Sequence, residues 1–514
     1  MNAIELSLFA SRISAICDEM GAVLQRAALS PNIKDRLDFS CAVFDTSGGL
    51  CAQAAHIPVH LGSMAYAMEG IVRRMAWRPG DTVIVNDPYL GGTHLPDVTL
   101  ITPVFLEGEE LAGFVVNRAH HADIGAATPG SMPISRTLEE EGVVIPPTHL
   151  ARDGQVNEEA MAEIIKGSRN AAQARGDYAA QLSANRCGAR RLRALVEGMG
   201  SASYAQALRA LNDYGERLAR GSLARIPDGR YTFADVMDDD GTGLRDIPIQ
   251  VCITKQGEDV AVDFSGTAAQ APGNINCPLS VAAAAVYYVF RCLMPSQTPA
   301  CAGSFRPITL TAPAGSLVNA RRPAAVAAGN VETSMRIVDV VLGALAQAMP
   351  GRIPAASQGT MNNIAMGGDH GQAWDYYETL GGGMGGGARR AGLGAIHSHM
   401  TNTLNTPIES AEMHFPLRIR RYGIRHGSGG AGRHAGGDGL VREYEFLAPA
   451  TVTLITERRY HAPWGLRGGA PGKVGSDTLN GRKLPPKTVF TVQAGDRLRI
   501  ETPGGGGWGP AEGQ

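Results

Sequence analysis

The chain lacks paired cysteines, a nucleotide-binding glycine signature, an excess of charge of either sign and any apolar run long enough for a bilayer. Each absence removes a class of function. The eight cysteines, at 17, 41, 51, 187, 252, 277, 292 and 301, stand singly with no CxxC among them, so neither a thiolate zinc site nor a short disulfide framework is expected. In a chain of this length read as cytosolic, most should be reduced thiols in or near the core. Cys277, in NINCPLS, alone has the polar, loop-like setting that suits a nucleophile. The 47 basic and 49 acidic side chains are spread along the chain, which gives no field for drawing in nucleic acid or an anionic membrane. The longest apolar runs, such as SVAAAAVYYVF from Ser280 to Phe290, stop far short of a membrane span. The opening MNAIELSLFASRISAICDEM carries Glu5, Asp18 and Glu19 without a basic leader, which is not the layout of an export signal. The expected compartment is the cytoplasm. GGAPGKVG, Gly468 to Gly475, fails the phosphate-loop pattern at its first glycine and has Val474 where a hydroxyl belongs. No GxSxG elbow and no GxGxxG opening to a helix occurs, so this chain alone shows no nucleotide site.

What is present organises 514 residues, 44% of them hydrophobic, into a mixed fold with a large core. Ile4, Leu8, Ile13, Ile16, Met20, Val23 and Leu24 recur mostly at three or four residues, predicting an amphipathic helix that ends before Pro31. Phe39 to Phe44 is strand-like, DTSGG supplies a hairpin turn and LCAQAA returns as a second strand. Similar units follow in DTVIVNDPYLGG and in VTLITPVFLEGEELAGFVVNRAH, where LEGEE separates two apolar runs. Residues 157–218 turn to Ala, Glu, Arg and Leu, predicting two or three helices. After GSLARIPDGRY the pattern returns to strands, with helical insertions at Ser280 to Met294 and Ser334 to Met349. The expected class is α+β, with largely antiparallel sheets, a central helical segment and helical insertions. The expected domains are residues 1–220, including the helical segment, and a glycine-rich, strand-rich unit over 221–514.

Glycine is abundant, 65 residues in all where about 7% of a chain is usual. It gathers in GGGMGGGARRAGLG, GSGGAGRHAGGDG and TPGGGGWG. No glycine-every-third-residue register is sustained, which excludes collagen. Tight turns, close backbone approaches or an anion-binding loop fit the clusters.

The polar residues that carry chemistry lie in the first quarter. NDPYLGGTHLPDVTL places His94 three positions before Asp97, and RAHHADIG supplies His120, His121 and Asp123 at the end of the next hairpin. Asp35 and Asp38 stand upstream in KDRLDF, and His56 and His60 in AAHIPVH. Neutral imidazole with carboxylate suits manganese, iron or zinc better than calcium. The alternative reading is a turn histidine capped by a neighbouring carboxylate. If both are in a strand, His121 points away from His120, so one of the two reaches an ion.

Together with NIKDRLDFSCAVFD, APGNINCPLS, GNVETS, QGTMNN, YYETLGGGMGGG and HSHMTNTLNTPIESAE, these motifs resemble, in order and over almost the whole chain, the hydantoinase B/oxoprolinase family. That family includes the N-methylhydantoinase beta subunit, the C-terminal part of 5-oxoprolinase, the caprolactamase beta subunit and homologous subunits of acetone and acetophenone carboxylases. The resemblance implies a partner subunit of the hydantoinase A type that uses ATP and magnesium to phosphorylate a cyclic amide, two copies of each subunit, and hydrolysis completed on this chain at a divalent metal. It implies Asp38, His94, Asp97 and His120 as ligands, with His121 the alternative because the hairpin FLEGEELAG is one residue longer than the usual family form. His56, His60 and His121 are then candidates for proton transfer or phosphate contact. Asp123 orients an imidazole or handles a proton. Thr401, Asn402, Asn405 and Glu409 are candidates for a substrate or interface pocket. The substrate so implied is a hydantoin, 5-oxoproline or another lactam. The alternatives are a subunit of a ketone carboxylase, a hydrolase working without ATP, and a noncatalytic structural subunit.

Overall fold

The structure, a computed structural model, describes residues 1–54, 57–60, 62–369 and 373–511. His56 lies outside the described residues. Nine α-helices are found among them: α1 (Ala3–Ala27), α2 (Pro31–Lys34), α3 (Ser63–Arg74), α4 (Glu158–Ile165), α5 (Ala171–Met199), α6 (Ser201–Leu223), α7 (Leu279–Leu293), α8 (Ser334–Ala348) and α9 (Ile408–His414). The fold is α+β with four largely antiparallel sheets. No helix among the described residues is long and apolar enough to cross a membrane.

The first sheet positions the site. Its strands are β1 (Phe39–Phe44), β2 (Leu50–Ala54), β3 (Thr82–Val85), β4 (Asp97–Phe105), β5 (Leu111–His120), β6 (Thr148–Arg152) and β7 (Gln155–Val156), in the order β2-β1-β5-β4-β3-β6-β7. β1 and β2 pair across the DTSGG turn, and β4 and β5 across LEGEE, both antiparallel. β1 to β5 are buried along almost their whole length because helices cover the sheet. Phe9, Ile13, Ile16, Met20 and Leu24 of α1 enter one cluster with Phe39, Val43 and Val115 of the sheet and Ala180, Ala184 and Leu192 of α5. Asn2 starts α1 with a reciprocal cap, its side chain accepting from the Glu5 amide and the Glu5 carboxylate accepting from its own, each at 2.9 Å.

The second sheet joins residues 229–239, 245–256 and 259–263 in antiparallel order and adds 308–311 beside 259–263 as the one parallel pair among the described strands. α7 and α8 pack against it around Ile249, Val251, Val281 and Val338. α6 runs through residue 220 to Leu223, and Ile57 and Val59 share a cluster with Val281 and Ile337. The remaining sheets comprise residues 363–368, 374–378, 450–455 and 487–492, and residues 417–425, 439–446, 476–479, 482–483 and 497–501.

The glycine clusters meet one another outside these sheets as close backbone approaches. Gly430 and Gly386 donate to the carbonyls of Gly505 and Gly506 at 2.8 Å, and Gly505 donates to Gly437 at 2.9 Å. These N–H groups are therefore spent on neighbouring carbonyls. A Cβ at Gly505 would stand 2.2 Å from the Met384 carbonyl oxygen, and one at Gly436 would stand 1.9 Å from the Gly505 oxygen. Glycine is required there by contact with backbone, which cannot swing aside as a side chain does. Gly505→Ala is expected to destabilise the chain by about 3 kcal/mol, at the upper end of ordinary overpacking. Denaturant midpoints of the variant and wild type check this, and equal midpoints would contradict it.

Candidate metal centre

Asp97 opens β4 and His120 closes β5, and the register pairs them directly. Phe39 pairs with Ala119, which sets Asp38 opposite His120, and the His120 amide donates to the Asp38 carbonyl at 3.0 Å. His94 arrives from the loop between β3 and β4. That loop is braced by Asn86, which donates to the Leu95 and Val143 carbonyls at 2.9 Å and accepts from the Ile145 amide at 2.7 Å. Gly91, at φ 96°, lies so close to α3 that a Cβ would sit 2.3 Å from the Ala67 Cα. The turn closes with the Asp97 amide donating to the His94 carbonyl at 3.1 Å.

His94, Asp97 and His120 thereby form a buried group whose ligand atoms all lie within 4.8 Å of one another. Asp97 Oδ1 stands 3.3 Å from His94 Nε2 and 3.2 Å from His120 Nδ1, while Oδ2 accepts from Thr93 Oγ1 at 2.5 Å and faces His60 Nε2 at 3.3 Å. Ser40 Oγ lies 3.0 Å from His60 Nδ1. With Asp97 ionised and acceptor-only, the tautomer that satisfies its Oδ2 contact carries a proton on His60 Nε2. His94 Nε2 and His120 Nδ1 face the same oxygen, Oδ1, and are the nitrogens turned toward a shared ion. Neither ring nitrogen of His94 has a hydrogen-bond partner, and His120 Nε2 has none either.

Buried polar atoms without partners are costly, and one nitrogen from each of the His94 and His120 rings beside an ionised carboxylate is a donor set that a divalent cation satisfies. The group can bind a metal ion. Burial opposes ionisation of Asp97, but the His94 and His60 rings, with hydrogen bonds from His120 and His60, hold its carboxyl well below the usual range. Burial lowers the His120 pKa and favours the neutral ring that a ligand requires, against the opposing hydrogen bond to Asp97. Asp38 and His60 line the same small cavity of about 20 Å³ as Asp97 and His120.

Of the other residues nominated from the sequence, Thr401 alone borders this cavity among those described. His121 faces the opposite way, stacked on Tyr178 of α5 at 4.3 Å with Nε2 2.9 Å from Gln181 Oε1. The Asp123 carboxylate accepts from the Arg169 amide at 2.5 Å and the Gly125 amide at 2.9 Å. Asp35 accepts from Ser410 Oγ at 3.0 Å. Cys277 is fully buried and burial pushes its thiol up, the reverse of a reactive setting. Thr401 borders the metal cavity, and Asn405 accepts from the Tyr422 hydroxyl at 2.9 Å.

Several site residues escaped the reading of the sequence. Thr93 stands beside His94 in NDPYLGGTHLPDVTL, where a hydroxyl next to a turn carboxylate was a usable signal. Tyr377, from the YYETLGGG segment, stacks on the His120 ring at 4.6 Å and donates to Asn363 Oδ1 at 2.7 Å. Asn363 in turn donates to Glu332 Oε1 at 2.6 Å. Glu332 belongs to a π-helical turn, Gly329–Thr333, that opens α8 and also brings Asn330 and Val331 to the cavity wall. Such turns often mark functional positions.

Burial, with the charge of Glu457 nearby, raises the Glu332 pKa to about 8, so this carboxyl is protonated at neutral pH. A carboxyl raised from an unfolded value of about 4.3 costs the fold increasing stability as pH climbs from that value to about 8. Glu332→Gln removes this loss. The variant is expected to lie within about 1.5 kcal/mol of wild type at pH 7 and to gain on it between pH 5 and 8, levelling above. Thermal midpoints across that range measure the trend, and a pH-independent difference would refute it.

The hydantoinase B/oxoprolinase family model matches residues 2–511. The chain is 39% identical over 542 residues to 5-oxoprolinase 1 of Arabidopsis thaliana, covering 99% of this chain and 42% of that protein. It thus spans about two-fifths of the length of the 5-oxoprolinases it matches. It is 32% identical over 537 residues to a putative D-/L-hydantoinase B-type subunit of Pseudomonas sp. (strain NS671), covering 99% of this chain and 90% of that protein. Among solved structures, the ATP-dependent caprolactamase from Pseudomonas jessenii superposes with a TM-score of 0.92 at 27% identity, over 99% of this chain and 91% of that one. Ordered motifs from Asp38 to the terminal glycines, a strand register that joins Asp97 to His120, and these full-length likenesses converge: the chain belongs to the hydantoinase B/oxoprolinase family.

Proposed function

We propose that this chain is the B-type subunit of an ATP-dependent cyclic amidase and completes the hydrolysis of a lactam or hydantoin that an ATP-binding A-type partner has phosphorylated. The observation that carries this reading is the buried group of His94, Asp97 and His120, whose unpartnered nitrogens suit a divalent ion of the manganese, iron or zinc kind. Similarity to a hydantoinase subunit, to 5-oxoprolinases and to an ATP-dependent caprolactamase supports the cyclic amide as substrate and the need for ATP. The chain shows no nucleotide motif, so ATP use is assigned to the partner, with two copies of each subunit.

His94, Asp97 and His120, with Asp38 as the further ligand, would hold the ion, which would supply Lewis acidity and lower the pKa of a water. The chain's residues do the rest. Asp97 would balance the ion's charge, with Oδ1 set 3.3 Å from His94 Nε2 and 3.2 Å from His120 Nδ1. Thr93 pins Asp97 Oδ2, and Tyr377 holds the plane of the His120 ring. His60, between Ser40 and Asp97, donates from Nε2 to the Asp97 carboxylate and so positions it. Phosphorylation by the partner activates the amide carbon: water adds there, the ring C–N bond breaks as the nitrogen takes a proton, and a second water hydrolyses the resulting acyl phosphate to phosphate and an open-chain carboxylate.

Reconstitution tests the reading. The chain, an A-type partner, ATP and a panel of lactams and hydantoins should give ring opening that requires both proteins, with one phosphate released for each ring opened. Ring opening by this chain alone without ATP would replace the reading with a self-sufficient hydrolase.

A further inference from the structure

The cavity that contains Asp97, His120 and Asp38 measures about 20 Å³, where about 10–15 Å³ holds one water. It has room for an ion or a water but none for a ring of five or more atoms. A larger groove, 880 Å³ along α1, shares no lining residue with it. A third cavity, of 380 Å³, lies against it, and Thr401 lines both. That volume falls within the range of small-molecule sites.

The dividing wall is the segment His397 to Thr403. His397, Ser398 and His399 line the larger cavity, Met400 and Thr403 line the metal cavity, and Thr401 borders both. The Val59 amide donates to the Met400 carbonyl at 3.3 Å, which ties the wall to the turn that carries His60. His399 is held at φ 56°, a left-handed conformation that a non-glycine residue keeps only where its surroundings impose it.

The larger cavity has two kinds of lining. Val289, Leu293, Leu342, Ile353 and Ile396 make an apolar body. At the wall, Ser398 Oγ and His399 Nε2 are buried without a hydrogen-bond partner, both residues being 8% exposed. His399 Nδ1 stands 3.4 Å from the Tyr288 hydroxyl, and Nε2 faces Asp339 Oδ1 across 4.0 Å. Arg352, the one guanidinium on the lining, is exposed and donates to the Leu293 carbonyl at 3.5 Å, so the interior carries no fixed cation. Apolar walls with hydroxyl and imidazole groups at one edge suit a compact ring whose amide edge, with the phosphoryl group the partner places on its oxygen, meets those polar groups.

We propose that this cavity is the substrate chamber. It binds the body of a five- to seven-membered cyclic amide with the amide edge toward Ser398, His399 and Tyr288, and presents the ring to the metal centre past Thr401. The proposal rests on the cyclic amidase reading for the identity of the ring, while the chamber has a binding readout of its own.

The test is titration of the purified full-length chain, observed by saturation-transfer NMR, with 2-pyrrolidinone, δ-valerolactam, ε-caprolactam and hydantoin. Two variants are compared, each checked for unchanged metal content and thermal midpoint. Cys292→Trp fills the cavity from an exposed lining position, and Ser398→Ala removes an unpartnered hydroxyl. Wild type is expected to bind at least one of these rings. Cys292→Trp should weaken that binding at least tenfold, most for the seven-membered ring, and Ser398→Ala about threefold or more. Failure of wild type to bind any of the four, or wild-type binding by Cys292→Trp, would overturn the chamber. If Cys292→Trp, combined with an A-type partner and ATP, opened rings at the wild-type KM, the chamber would be wrong and the amidase reading would stand. If the rings bind and the variants lose them, yet the complete complex with ATP opens none, the amidase reading fails and the chamber stands.

Discussion

Asp97→Asn is expected to lower the ring-opening kcat of the reconstituted complex at least a hundredfold and to strip the chain of most of its metal. The change is nearly isosteric, so its effect reports charge and acceptor capacity rather than packing. Asp97 is buried, and its two oxygens serve Thr93, His60, His120 and His94 at once. An amide offers one acceptor and puts an N–H₂ donor where another N–H or O–H already points. Loss of residues that merely support metal ligands costs about 10–100-fold, and removing the carboxylate that organises the whole group should exceed that. Steady-state assay with circular dichroism as a folding control measures it. Activity within tenfold of wild type in a folded variant would remove Asp97 from the centre of the mechanism.

Arg458→Leu is expected to destabilise the chain by about 3–5 kcal/mol, the range for removing one partner from a buried ion pair. Arg458 is 1% exposed and its NH2 group donates at 2.7 Å to both Asp235 and Asp339. It thereby bolts the second sheet to α8. Leucine would leave Asp339, itself fully buried, with His399 at 4.0 Å as its remaining ionic neighbour, and Asp235 with Arg336 at 3.7 Å. The same network gives a pH signature. Burial opposes ionisation of Asp235, but Arg458 and Arg336 hold its pKa at about 2. Because the folded pKa lies below the unfolded value of about 3.9, this stabilisation is present above that value and is lost as pH falls through about 2. In Arg458→Leu the acid loss between pH 4 and 2 should be shallower than in wild type. Denaturant midpoints across that range and at pH 7 check both effects, and an unchanged midpoint at pH 7 would contradict the account of this network.

Local pattern made the hairpins legible. DTSGG and LEGEE separate apolar runs of strand length, and they join β1 to β2 and β4 to β5. The long helices were legible for the same reason, since 3.6-residue periodicity needs no knowledge of the rest of the chain. Within the site, His94, Asp97 and His120 stood out because the scarce residue types of a metal site lay at the ends of predicted strands. What pattern could not supply was distance. Tyr377 and Glu332 reach the site from remote segments, and nothing in their own neighbourhoods points to His120. His121 is adjacent to His120 in sequence, yet strand alternation turns it to Gln181 on α5. The parallel strand at 308–311 depends on a pairing across the intervening α7. The glycine clusters make hydrogen bonds to one another without hydrophobic periodicity, so their sequence signalled close backbone approach but not which segments meet.

The most direct test of the account is elemental analysis of the purified chain together with its His120→Ala and His121→Ala variants. The account predicts about one manganese, iron or zinc ion per wild-type chain, retention in His121→Ala and loss in His120→Ala. A wild-type chain that holds no such ion even after incubation with each, or one that loses it in His121→Ala while keeping it in His120→Ala, would contradict the centre built from His94, Asp97 and His120.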